Sequence, residues 1–217
     1  MGIKVVKDIL EANERIAKEN RKLFDEKKVF VINLMGSPGC GKTSLLERTI
    51  EKLKGSYGIS VVEGDIQSSI DAEKISKLGV KAVQINTGGA CHLDGNMLKE
   101  ALPDINLDET DLLFVENVGN LVCPAEFKMG ENFKAMILSI AEGDDKPKKY
   151  PLMFHESKVL IINKLDLLEH TNCSVDKIKK DCLEINPDLK IFEVSCKTSK
   201  GIDNWTNWLI REMGEKK

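Results

Sequence analysis

The sequence predicts an α/β fold, a mostly parallel sheet with helices on both faces. Two observations predict it. Short β-branched apolar runs alternate along the chain with stretches of helical periodicity, the signature of strands joined by crossover helices. Several of these runs, such as Val159–Asn163, are apolar nearly throughout, as expected of strands covered on both sides. In chain order, Met1–Phe24 is charged throughout but carries Val5, Ile9, Leu10, Ile16 and Leu23, the pattern of an amphipathic helix. Residues 1–28 thus form a helical lead-in, and residues 29–217 form the domain. Strands are expected at Val29–Leu34, Ile59–Glu63, Ala82–Asn86, Leu112–Glu116, Ala135–Ile140, Val159–Asn163 and Ile191–Val194. Helices are expected at Lys42–Lys54, Ser69–Leu78, Leu93–Ala101, Val175–Ile185 and Ile202–Met213. Glu142–Pro151 (EGDDKPKKYP) reads as a loop on the ligand side of the sheet. Ligands of such sheets bind at the carboxyl ends of strands, so the loops after strands are where chemistry is expected.

Composition narrows the function. A chain of 217 residues fits one α/β domain, and 41% hydrophobic residues suffice for a core. A net charge of -3 offers no electrostatic case for nucleic acid or an anionic membrane surface. No apolar run approaches the roughly 20 residues that span a bilayer. The N-terminal residues lack a signal-peptide pattern, so a cytoplasmic location is expected, with the six cysteines as thiols.

Gly36-Ser37-Pro38-Gly39-Cys40-Gly41-Lys42-Thr43 matches G-x-x-x-x-G-K-[ST], follows an expected strand and opens an expected helix. Its glycines let successive N–H groups turn inward on phosphate oxygens, and the helix N-terminus adds its positive dipole end. Lys42 is suited to the β- and γ-phosphates, the Thr43 hydroxyl to Mg²⁺, and Ser44 extends the cradle. Cys40 is read as a small residue that fits. The fold class is therefore the three-layer P-loop NTPase fold. Asn163-Lys164-Leu165-Asp166 follows another strand. The Asp166 carboxylate can accept from guanine N1–H and the 2-amino group, a donor pair adenine lacks, which selects GTP over ATP. The Lys164 stem can cover the purine face, and Asn163 can bridge neighbouring loops. Ser195-Cys196-Lys197 follows the last strand and offers backbone N–H groups to guanine O6.

Asp65 and Glu116 end two further strands. Glu116 is a Mg²⁺ candidate, directly or through water, with Gly119 placed for the γ-phosphate. Asp65 is a second Mg²⁺ contact or a group that orients the attacking water. Asn120 stands where a glutamine would follow Gly119, and no arginine finger is evident, so intrinsic hydrolysis should be slow. Cys91, His92 and Cys123 fall on strand-end loops of the same rim. Thiolate with imidazole suits Zn²⁺ or Ni²⁺. Three ligands are too few for a closed tetrahedral site, so water, an acid such as Asp94, or a partner subunit has to complete the set. The spacing alone equally allows a small buried Cys and an ordinary loop His. Cys173, Cys182, Cys196, His155 and His170 are read as structural or surface residues.

Together, GSPGCGKTS, EGDIQSSIDAEKI, QINTGGACHLD, LLFVENVGNLVCPAEF, LSIAEGDDKPKKYPLMF, INKLDLL and GIDNWTNWL resemble the hydrogenase nickel-incorporation GTPase family, HypB. The resemblance runs from about Val29 to the C-terminus, with CHLD and ENVGNLVCP its most specific segments. It implies a SIMIBI-class GTPase, a nucleotide-dependent homodimer and a metal site of Cys91, His92 and Cys123. It further implies delivery of nickel to the large subunit of [NiFe]-hydrogenase, with a small zinc-containing HypA-like protein as partner. Lys148 or Lys149 is a candidate to reach a partner's nucleotide. Residues 1–28 hold no Cys and no His, so an N-terminal nickel-storage tract is not expected in them. Within the same class, the urease accessory GTPase also delivers nickel, but its metal motif has a proline between Cys and His, whereas Cys91 and His92 are adjacent. A regulatory GTPase with only structural cysteines and a non-enzymatic metal buffer are the competing functions outside it; the intact phosphate and guanine motifs oppose the buffer.

Overall fold

The computed structural model describes residues 3–65 and 70–214, the side chains of residues 3–9 and Ile70 excepted. Seven strands, β1 (Phe30–Gly36), β2 (Ile59–Asp65), β3 (Lys81–Asn86), β4 (Leu112–Glu116), β5 (Phe133–Ser139), β6 (Val159–Asn163) and β7 (Lys190–Glu193), form one sheet in the order β3-β2-β4-β1-β5-β6-β7. Every pairing is parallel. β1 lies between β4 and β5, so its end opens on the crevice where crossovers leave in opposite directions.

Alternation along β1 sorts the layers. Phe30, Ile32 and Leu34 enter the core that α2 (Lys42–Leu53) and α9 (Ile202–Gly214) complete with Leu46, Ile50, Trp205 and Leu209. Ile75 of α3 (Ile70–Ser76) joins the same layer. Val31 and Met35 face the other way. Val31 meets Phe24 of α1 (Ile3–Lys27) and Leu98 of α4 (Gly95–Ala101). Met35 meets Phe154 of α7 (Pro151–His155) and Ile178 of α8 (Val175–Ile185). No described helix is long and apolar enough to cross a membrane.

The lead-in is helical as expected, although Val5 and Ile9 lie outside the described side chains. It is also anchored by polar groups. Asn13 Nδ2 donates to the Lys128 carbonyl (2.9 Å) while its Oδ1 accepts from the Gly95 amide (2.8 Å). Asn20 Nδ2 donates to the carbonyls of Gly95 (2.8 Å) and Met129 (3.1 Å).

Three expectations differ from the structure. Glu142–Pro151 is not a loop: a 3-10 turn at Ile140–Glu142, α6 (Lys146–Lys149) and the start of α7 occupy most of it. Ser139 and Glu142 form a reciprocal capping box, and Pro147 and Pro151 sit in first turns, where a fixed φ favours the helix. The helix expected from Leu93 begins at Gly95, because Asp94 is its cap. The helix expected from Ser69, a residue outside those described, ends at Ser76 rather than Leu78.

Phe24 is fully buried. Phe24→Ala should cost about 3–5 kcal/mol by loss of packing and an unfilled cavity. Urea unfolding measures it, and a loss under about 1 kcal/mol would mean that α1 is not part of the cooperative core.

Candidate functional site

Loops after β1, β2, β4, β6 and β7 meet over the carboxyl edge of the sheet. Gly36 ends β1 so close to β5 that a Cβ would lie 2.5 Å from the Ile137 carbonyl. Gly41 has φ 101° and would meet Asn163 Nδ2 at 2.3 Å, so only glycine fits both the left-handed backbone and the close approach. The chain between them curls over the N-terminus of α2. Lys42 is folded back onto it, Nζ to the Ser37 carbonyl at 3.3 Å, while the Ser37 hydroxyl donates to Glu142 Oε2 at 2.5 Å. A 480 Å³ cavity opens over this curl. Gly39, Gly41, Lys42, Thr43, Asp65 and Glu116 line it, and Gly119 closes one side against Pro38.

Deep in this chamber Thr43 Oγ1 donates to Glu116 Oε1 at 3.0 Å. Glu63, a residue with no role expected from the sequence, stands opposite Glu116 in the β2–β4 register. Both carboxyls are buried, and Glu63 Oε1 and Glu116 Oε2 have no hydrogen-bond partner. Burial, then the Glu116 charge, pushes Glu63 well above the usual carboxylate range. Burial also raises Glu116, against the pull of Lys42 and Thr43. Two acids with unfilled oxygens beside a helix-terminal hydroxyl make a donor set suited to a hard divalent cation. Asp65 is on the wall of the chamber, and so is an Asp71–Lys74 ion pair (2.7 Å), two residues to which the sequence assigned no role.

A second cavity of 390 Å³ adjoins the first through Gly41, Ser44 and Lys164, and is otherwise lined by Asn163, Asp166, Cys196 and Lys197. Asn163 bridges the loops as expected. It donates to the Cys40 carbonyl (3.0 Å) and accepts from the amides of Lys164 (2.7 Å) and Cys196 (3.2 Å). Lys164 stretches over the curl to the Gly39 carbonyl at 2.5 Å. Asp166 Oδ1 accepts from Ser195 Oγ at 2.5 Å, which holds its carboxyl below the usual range. Of the three amides expected to face guanine O6, those of Ser195 and Cys196 are engaged by the Lys200 carbonyl and by Asn163. The Lys197 amide takes part in neither of these bonds. Burial pushes Cys40 and Cys196 up to about 11 and Cys182 up to about 12, in keeping with unreactive structural thiols.

The Cys91, His92 and Cys123 ligand atoms all lie within 4.8 Å of one another. Cys91 Sγ is 3.2 Å from Cys123 Sγ and 3.6 Å from His92 Nδ1. Cys123 opens the short helix α5 (Cys123–Glu126), and His92 stacks on Phe127 with ring centroids 3.9 Å apart. Partial burial lowers the His92 pKa, which favours a neutral imidazole with a lone pair to offer. The Cys91 thiol hydrogen-bonded to it holds Cys123 above the ordinary thiol range. Asp94 is not part of this cluster, and its Oδ1 caps α4 through the amides of Asn96 (2.9 Å) and Met97 (2.8 Å). Lys148 and Lys149 pair within the chain, with Asp181 (3.2 Å) and Asp145 (2.5 Å).

Comparison with known proteins gives the chain's family. Residues 30–193 match the model of the CobW/HypB/UreG nucleotide-binding domain. The chain is 48% identical over 212 residues to hydrogenase maturation factor HypB of Azotobacter vinelandii, covering 98% of this chain and 70% of that one. It is 42% identical over 213 residues to a probable HypB of Methanocaldococcus jannaschii, covering 98% and 96%. The crystal structure of HypB from Helicobacter pylori in complex with nickel superposes with a TM-score of 0.89 at 39% identity, covering 94% and 96%.

The carboxyl pair has a pH signature. Glu63 and Glu116 are protonated more readily folded than unfolded, so the nucleotide-free protein holds their contribution at low pH and loses it as pH rises through the elevated folded values. Glu63→Gln, which keeps the shape and removes the charge, should raise stability by on the order of 1–3 kcal/mol more at pH 8 than at pH 5. Urea unfolding in chelator at the two pH values measures this, and an equal effect at both would contradict it.

Proposed function

This chain belongs to the hydrogenase maturation factor HypB family within the CobW/HypB/UreG group, and from that premise we propose that it is a GTP-hydrolysing metallochaperone that assists nickel insertion into [NiFe]-hydrogenase. One observation carries the proposal. The loop that leaves the phosphate chamber at Glu116 reaches Cys123 within seven residues, where Cys91 and His92 meet it. A group that responds to the γ-phosphate and a ligand of the cargo metal share one short segment.

In this reading Lys42, the curl from Gly36 to Gly41 and the amides of Lys42, Thr43 and Ser44 neutralise the β- and γ-phosphates. Thr43 and Glu116 hold Mg²⁺, with Asp65 and Glu63 around it; when bound, the ion offsets charge on the transferring phosphoryl group. Asp166 accepts the guanine N1–H and 2-amino donors with Ser195 fixing its orientation, and Lys197 offers its amide to O6. Asn120 has its side chain committed elsewhere and is not free to orient water, which supports slow intrinsic turnover. Cys91, His92 and Cys123 take Ni²⁺ or Zn²⁺, and water or a second copy of the chain supplies the remaining ligand. Half-exposed Val122 beside Cys123 supports a surface for that second copy. A HypA-like protein and the hydrogenase large-subunit precursor are the expected partners, in the cytoplasm.

Base choice tests the nucleotide assignment. Asp166→Asn should weaken GTP at least about tenfold and favour XTP, whose C2 oxygen accepts where guanine donates. Side-by-side affinities decide it; an unchanged preference for GTP would remove Asp166 from the base pocket. Metal capture tests the cargo assignment. The reduced protein should bind Ni²⁺ in a chelator competition, and Cys123→Ala should weaken binding by about tenfold or more. Intact binding in that variant would place the metal elsewhere.

A further inference from the structure

Asn120 touches three things at once. Its backbone N–H donates to the Gly36 carbonyl at 3.0 Å, an isolated antiparallel bridge to the first glycine of the phosphate curl. Its side-chain Nδ2 donates to the Cys91 carbonyl at 3.0 Å, and its Oδ1 accepts from the Val122 amide at 2.9 Å. Val122 immediately precedes Cys123, so the same side chain fixes the turn that presents that thiol. One half-buried amide therefore links the phosphate curl, the backbone carrying Cys91 and the turn presenting Cys123. Its neighbour Gly119 leaves no slack, since a Cβ there would lie 2.8 Å from Pro38.

We propose that Asn120 is the positioning residue through which the nucleotide state sets the geometry of the Cys91–His92–Cys123 metal site. This inference rests on the nickel-GTPase reading above and names the group that connects its two halves. A γ-phosphate drawing Gly119 inward moves the Asn120 main chain, because adjacent residues share a peptide plane. The Asn120 side chain then carries the displacement to Cys91 and Cys123 together. Both hydrogen bonds are needed: with only one, a single ligand follows the switch and the other stays behind. Asn117 steadies the near end, its Oδ1 accepting from the Leu93 amide at 2.9 Å and its Nδ2 donating to Asn33 at 3.2 Å.

The test is made on the reduced full chain, with Ni²⁺ affinity read by chelator competition in GDP and in a non-hydrolysable GTP analogue. Co²⁺ serves as a second probe, because its thiolate charge-transfer band reports that both sulfurs still bind. Wild type should differ between nucleotide states by at least about fivefold, and metal should shift the ratio of analogue to GDP affinity by the same factor. Asn120→Ala should keep the Co²⁺ band while both ratios fall to within about twofold of unity. Asn120→Asp, close in shape but without the donor to the Cys91 carbonyl, should do the same. A wild-type ratio preserved in either variant overturns the proposal. Loss of the Co²⁺ band in both variants also overturns it, since Asn120 would then only hold the loop. Nickel bound by wild type with equal affinity in the two states overturns the coupling but leaves the metal reading standing, whereas absence of nickel binding in wild type takes down both.

Discussion

The segment from Glu116 to Cys123 is tied to β1 at two points, and the rest of the site depends on those ties. The Asn117 amide donates to the Leu34 carbonyl (2.9 Å) and the Asn120 amide to the Gly36 carbonyl (3.0 Å). The end of β4 is thereby drawn across the end of β1 instead of turning into solvent. This sets Glu116 against Thr43, Gly119 against Pro38, and Cys123 beside Cys91. Buried backbone donors require partners, so the ties are strongly favoured once β1 and β4 pair.

The lead-in helix supports the same region from behind. Asn13 and Asn20 are buried on α1 and hydrogen-bond Gly95, which follows the Cys91-His92 loop, and Lys128 and Met129, which follow α5. Buried amides bonded to two loops at once fix the distance between those loops. Their loss would leave unsatisfied groups worth about 1–3 kcal/mol each. Cys91, His92 and Cys123 are therefore held between α1 on one side and the Glu116–Cys123 segment on the other, which suits the proposed site that responds to nucleotide through that segment alone.

Much of this was legible in the sequence because the signals are local. Glycines followed by Lys42-Thr43 after an apolar run have few structural options, and Asn163 to Asp166 directly follows a strand. All seven strands were found to within two residues at each end. What was not legible depends on register and tertiary contact. Glu63 lies in a strand that was identified, but its pairing with Glu116 follows from which strands are neighbours. Asn13 and Asn20 read as ordinary polar positions of a surface helix until the loops they hold are placed. Asp94 looked like a spare metal ligand, whereas its place before α4 makes it a cap. Glu142–Pro151 read as a loop because its composition is polar, although Pro147 and Pro151 at helix starts are also what a short helix uses.

In the proposed reading the nucleotide and metal sites share one mechanical segment. Amide hydrogen exchange of the metal-free, reduced protein in GDP and in a non-hydrolysable GTP analogue tests it most directly. The informative amides are Leu93, held by Asn117, and Val122, held by Asn120, because neither is expected to touch the nucleotide. Protection should change at both on exchanging GDP for the analogue. A change confined to the phosphate curl and to Glu116–Gly119, with Leu93 and Val122 unaffected, would contradict it.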